Sequence, residues 1–219
     1  DFRMRIFNSD GSEAMMCGNG SRCVGKFVYD KGLTEKKSVT LETLSGIKIL
    51  NLHVENGKVE SVSVDMGKSQ ILTLGGNTTP FVNQPITAKG ITMNGTAVSM
   101  GNPHLVFFVE NAEKFDVASV GPAFEHHPWF ENRTNVEFAQ ILSPAKIRMR
   151  VWERGSGITM ACGTGACATF AAAKECGLVN GKTTLVLDGG ELQIENSSTN
   201  GDVIMTGPAQ TVFEGKIEI

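Results

Sequence analysis

Long apolar runs are missing from this 219-residue chain, and so is any excess of basic residues. No apolar run approaches the ~20 residues that a membrane-spanning helix needs, and no charged-then-apolar leader stands ahead of a cleavage site. Lys and Arg total 20 against 23 Asp and Glu, a net charge of -3. Such a balance gives nucleic acid or an anionic membrane little to hold. Cysteines number five, an odd count, and their spacing suits neither a disulfide framework nor the CxxC pairs of a zinc site. What is present, 41% apolar and 20% charged residues, describes an ordinary globule long enough to build a core. The expectation is a reduced, cytoplasmic protein.

The informative feature is a repeat. Shifted by 145 positions, RMRIFNSDGSEAMMCGNGSRCVGKFVYDKGL (3–33) lies on RMRVWERGSGITMACGTGACATFAAAKECGL (148–178) without a gap. Nine of 31 positions are identical, where composition alone gives about two. Two copies are too few for a solenoid, so the repeat implies two related lobes. Each copy reads as an alternating strand (3–8; 146–153), a glycine-containing loop, Cys-Gly-x-Gly, and a helix. Cys23, Val24, Phe27 and Val28 form the expected apolar face of the first helix; Cys167, Phe170 and Ala171 form that of the second. Gly32 and Gly177 are the expected helix stops. Both copies then return to hairpin strands, VTLETLSGIKILNLHV and TTLVLDGGELQIE.

Between the copies, KVESVSVDMG, GITMNGTAVSM, HLVFFVE and NVEFAQIL read as strands, and FDVASVGPAFEHH as a short interrupted helix. The expected class is α/β (α+β), with two pseudo-symmetric lobes, each a curved, mostly antiparallel sheet around a central helix. The lobes are expected at 1–62, completed by 208–219, and at 63–207. Roughly 80 residues of strand-like sequence precede the second RMR, and two precede the first; the first lobe is expected to be N-terminally incomplete.

A cysteine at a helix mouth has unpartnered N–H groups and about half a positive charge beside it. Such a terminus stabilises a thiolate or grips a carboxylate, and Gly18 and Gly163 permit close approach of the backbone. Two such mouths aimed at one α-carbon would place a thiol on each side. One sulfur would take a proton and the other deliver one, inverting the centre without a cofactor, as a coupled pair. Cys17 and Cys162 are therefore the candidate acid and base. The remaining cysteines, Cys23, Cys167 and Cys176, read as small buried hydrophobes. His104 alone reads equally as a loop residue, and His126 and His127 lack a third metal ligand at suitable spacing. GSRCVGK (20–26) lacks the hydroxyl residue that a phosphate loop needs next.

MCGNGSRCVGKFVYD, GNPH (101–104), NRTNVEF (132–138) and WERGSGITMACGTGACA together resemble diaminopimelate epimerase over nearly the whole chain. The resemblance implies a cofactor-independent racemase of two lobes that interconverts LL- and meso-diaminopimelate in lysine synthesis. It implies Cys17 and Cys162 as the acid/base pair, and His104 with Glu153 as the groups tuning the thiols. It also implies Asn8, Gly18, Asn19, Asn102, Asn135, Glu153, Arg154, Gly163 and Thr164 as substrate contacts. No metal is implied; the partner is a small molecule, with neither nucleic acid nor membrane, and a homodimer is compatible. Alternatives are a related racemase acting on proline-like carboxylates, which CGNG disfavours, and a fragment that only binds ligand. A hydrolase-type cysteine would not need a second, symmetric thiol.

Overall fold

A computed structural model describes residues 1–7, 11 and 13–216. The chain divides into two compact units, Asp1–Asp65 with Thr206–Ile219, and Met66–Met205. In the first, β1 (Phe2–Arg3) is followed by α1 (Gly18–Asp30), β2 (Ser38–Thr43), β3 (Gly46–Glu55) and β4 (Lys58–Asp65). β1 lies parallel to β2, and β2–β3 and β3–β4 are antiparallel. The inward residues of β2, Val39 and Leu41, are fully buried, in keeping with the alternation of SVTLET.

The second unit runs β5 (Gln70–Ile71), β6 (Gln84–Ala88), β7 (Ile91–Ser99), β8 (Pro103–Phe108), α2 (Val117–Glu125), β9 (Asn135–Ser143) and β10 (Lys146–Glu153). It continues through β11 (Gly157–Ile158), α3 (Gly163–Glu175), β12 (Thr183–Leu187), β13 (Gly190–Asn196) and β14 (Val203–Pro208), whose residues from Thr206 belong to the first unit. The strand order is β14-β13-β12-β10-β9-β8-β7-β5, with β6 also on β7 and β11 on β10. Most pairs are antiparallel; β8–β9 and β10–β12 are parallel. The class is mixed α+β, sheet-rich with few helices. Among the described residues no helix is long and apolar enough to cross a membrane.

The repeat is reproduced locally. Helices α1 and α3 are both 13 residues long and begin and end 145 positions apart. Each closes the same way. Leu33 N–H donates to Val28 O (2.9 Å) and Leu178 N–H to Ala173 O (2.8 Å). The intervening Gly32 and Gly177 hold φ of 70° and 68°, a left-handed conformation that costs glycine little.

Two expectations fail in the first copy. The opening strand is only β1, two residues long, against eight in β10. β10 is hydrogen-bonded on one flank to β9 and on the other to β12, whereas the described pairing of β1 is to β2 alone. The helix face also differs: Cys23 and Phe27 are exposed, and Ser21, Arg22, Gly25 and Val28 are buried. α1 lies on β3 and β4, with Gly25 against Leu50, Leu52 and Val62. α3 packs on β7, β8, β9, β10, β12 and β13, and its small residues Ala166–Ala173 are buried all round. Cys167 is buried as expected, and Cys176 is half-buried.

Candidate active site

Each Cys-Gly-x-Gly cysteine is the residue that stops the extended approach and caps a helix. The backbone is at φ -137°, ψ 113° at Cys17 and φ -125°, ψ 110° at Cys162. Cys17 Sγ accepts from Gly20 N–H (3.3 Å), and Cys162 Sγ from Gly165 N–H (3.4 Å). The sulfurs thus occupy the position of an N-cap oxygen, facing the unpaired donors of the first turn. Next in each helix, Gly18 and Gly163 are buried. At the following position, Asn19 Oδ1 is buried without a partner, while Thr164 Oγ1 lies 3.6 Å from Cys162 Sγ.

The two thiols differ in surroundings. Cys17 is half-buried; Cys162 is 6% exposed. A helix mouth by itself favours a thiolate. At Cys162 it does not prevail. Burial, reinforced by the carboxylates of Glu153 and Glu137, pushes this thiol well above its ordinary pKa, against the smaller help of Thr164 and the Gly165 N–H.

The two groups expected to tune the thiols, His104 and Glu153, have different partners. His104, fully buried on β8, meets Glu137 of β9: Nδ1 and Oε1 are 2.7 Å apart. The ring's Nε2 donates to Asn102 Oδ1 (3.2 Å). Glu153, at the end of β10, accepts instead from Thr159 Oγ1. Glu137 is the residue that sequence reasoning missed. It belongs to NVEFA, where every residue is buried. A carboxyl inside a strand apolar on both faces was the available signal, since such groups are seldom buried unless paired.

Asn135, expected to touch substrate, uses its amide on the protein. Nδ2 donates to Pro103 O (3.0 Å) and Oδ1 accepts from Arg154 N–H (3.0 Å). It ties the 101–104 loop to the turn after β10. That turn is also held by Glu125, whose Oε1 accepts from Gly155 N–H (2.9 Å) and whose Oε2 accepts from Trp152 Nε1 (2.7 Å). Arg154 is exposed, with Nη1 on Asn132 O (3.0 Å). Arg154 and Asn102 line a cleft of about 440 Å³ with Trp129, Phe130 and Arg133. In the second unit the structure therefore brings Cys162, Thr164, Asn102 and His104 together and sets Arg154 and Asn102 in one cleft. Asn8 lies outside the described residues.

The family model described as diaminopimelate epimerase matches residues 1–72 and 96–212. A diaminopimelate epimerase from Phocaeicola vulgatus is 56% identical over 225 residues, covering 100% of this chain and 79% of its own. One from Methanococcus maripaludis strain C5 is 52% identical, with 100% and 80% covered. Among solved structures, a hydroxyproline epimerase from Agrobacterium vitis superposes with a TM-score of 0.69 at 16% identity, over 94% of this chain and 67% of its own. A phenazine biosynthesis protein of the PhzF family from Enterococcus faecalis gives 0.66 at 15%, over 99% and 78%. At such identities these two share the fold alone. The sequence relatives go further, since similarity at this level runs through both cysteine caps and the β8–β9 pair: the chain belongs to the diaminopimelate epimerase family.

Proposed function

We propose that this chain is an epimerase that interconverts LL- and meso-diaminopimelate by a two-thiol proton transfer. The carrying observation is the matched pair of caps, Cys17 and Cys162, with near-identical backbone angles and the same N–H donor three residues on. One sulfur, as thiolate, removes the α-proton; the electron pair left behind is delocalised into the substrate carboxylate. The other, as thiol, returns a proton to the opposite face. The two sulfurs end with their protonation exchanged, and no redox change occurs. Cys162, whose surroundings resist the thiolate, takes the part of acid in the first direction, and Cys17 that of base.

The N–H groups behind each cap, at Gly18–Asn19 and Gly163–Thr164, suit the α-carboxylate. Arg154, at the rim of the second unit's cleft, suits the distal carboxylate through a two-pronged clasp. Glu153 offers a carboxylate to an ammonium group. Asn102 and Asn135 serve this site chiefly by positioning, the one holding His104 and the other Arg154.

Turnover of LL-diaminopimelate in heavy water tests the reading. The product should carry solvent deuterium at the inverted α-carbon, with no pyridoxal phosphate, metal or nicotinamide added. Full retention of the original hydrogen rules out proton exchange through the thiols.

A further inference from the structure

The two-thiol scheme leaves one buried acid without a task. Glu137 is fully buried, and its Oε2 has no hydrogen-bond partner, while Oε1 faces His104 Nδ1 at 2.7 Å. From the imidazole a chain of contacts continues. His104 Nε2 donates to Asn102 Oδ1 (3.2 Å), Asn102 Nδ2 to Thr164 Oγ1 (3.5 Å), and Thr164 Oγ1 lies 3.6 Å from Cys162 Sγ. A second, shorter route exists. A Cβ added to Gly165 would stand 2.7 Å from Glu137 Oε1 and 3.2 Å from Cys162 Sγ. Only a glycine lets the carboxyl sit against the same residue whose N–H binds the sulfur.

The partners dictate the protons. Asn102 Oδ1 can only accept, so Nε2 carries a hydrogen. One further proton lies between Nδ1 and Oε1, and with it the His104–Glu137 pair is neutral overall. Within that pair the carboxyl is the end set against Gly165 and the sulfur, so its share of negative charge opposes a thiolate in a water-poor site, where charge acts strongly. Glu153 on β10 adds a second negative charge, and the mouth of α3 opposes both.

We propose that Glu137 is a positioning residue for Cys162: held by His104 and packed against Gly165, whose N–H binds the sulfur, its carboxyl opposes a thiolate there and keeps this thiol protonated as the resting acid. The proposal rests on the reading that Cys162 is one of the two acid/base groups. Burial raises the Glu137 carboxyl above its ordinary range despite the attraction of His104, in keeping with a proton held within the pair.

The test is iodoacetamide alkylation of the full chain as a function of pH, with each cysteine followed separately by peptide mass spectrometry. In Glu137→Gln the Cys162 midpoint should fall by about one unit, an about tenfold faster reaction below the midpoint, while the Cys17 midpoint stays put. Cys167, fully buried, reports on folding and should remain unreactive. An unchanged Cys162 midpoint, or an equal shift at Cys17, overturns the proposal. Should the variant make Cys167 reactive, Glu137→Met, uncharged and of similar volume, decides instead: a downward shift supports the proposal while no shift overturns it. Alkylation needs no substrate, so its failure is distinct from a failure of the epimerase reading.

Discussion

The two copies of the cysteine motif fold alike and are surrounded differently. Cap angles, the Sγ contact, a 13-residue helix and a left-handed glycine stop recur at an offset of 145. Yet α1 rests on two strands with Cys23 and Phe27 exposed, whereas the equivalent residues on α3, Ala168 and Ala172, are fully buried among six strands. Local sequence sets the cap, since its hydrogen bonds close within three or four residues. The environment of the sulfur is set by strands distant in the chain, and among the described residues the strands packed on α3 are not matched on α1. Similar caps can therefore sit in unlike surroundings.

Removing either sulfur is the hardest test of their equivalence. Cys17→Ala and Cys162→Ala should each lower epimerisation by about 10²–10⁴-fold without changing the circular dichroism spectrum. Full turnover in either variant would leave the pairing of the copies a matter of fold alone.

A smaller effect separates the copies by stability. Glu125→Gln should cost about 1–3 kcal/mol at neutral pH, read from urea unfolding, because it weakens the acceptor for Trp152, Gly155 and Arg133. Burial alone would raise the Glu125 pKa, but the donations from Trp152 and Gly155, with His126 and Arg133 nearby, together bring it below the usual carboxylate value. The stabilisation is thus present above the unfolded carboxylate range and is lost as pH falls through the depressed folded value. The gap between wild type and variant should close on acidification; a gap constant to pH 3 contradicts this assignment.

The glycines at the caps sharpen the contrast. Gly165→Ala should destabilise by about 1–3 kcal/mol, because its Cβ meets the buried Glu137 carboxyl. Gly20→Ala meets only the far Cδ1 end of the half-buried Ile6 side chain, and should cost about 1 kcal/mol or less. Equal melting temperatures for the two would dissolve the distinction. The mildest comparison is Ala168→Val against Cys23→Val: overpacking at the buried site should cost about 1–3 kcal/mol, the exposed one under about 0.5 kcal/mol.

Much of this architecture was legible beforehand, for reasons tied to particular residues. Gly32 and Gly177 announced helix ends because a left-handed residue selects for glycine, and the alternation of SVTLET and TTLVL announced strands. The face of α1 was misjudged because Cys23 and Phe27 are apolar by type; exposure depends on which strands arrive. Glu137 was passed over because NVEFAQIL scans as a strand whether its acid points to water or into a sealed site. That Asn135 bridges Pro103 and Arg154 has no local signal, since the three come from separate segments.

Sequence by itself determined the duplicated strand–cysteine–helix unit, the thiol as helix cap and the family, because each is written in contacts of short range or in motifs read in order. Only the tertiary structure decided which thiol is sealed from water and that Glu137 meets His104. Those outcomes hang on β8, β9 and α3 coming together from positions 104, 137 and 162, and desolvation, the strongest influence on Cys162, has no local code.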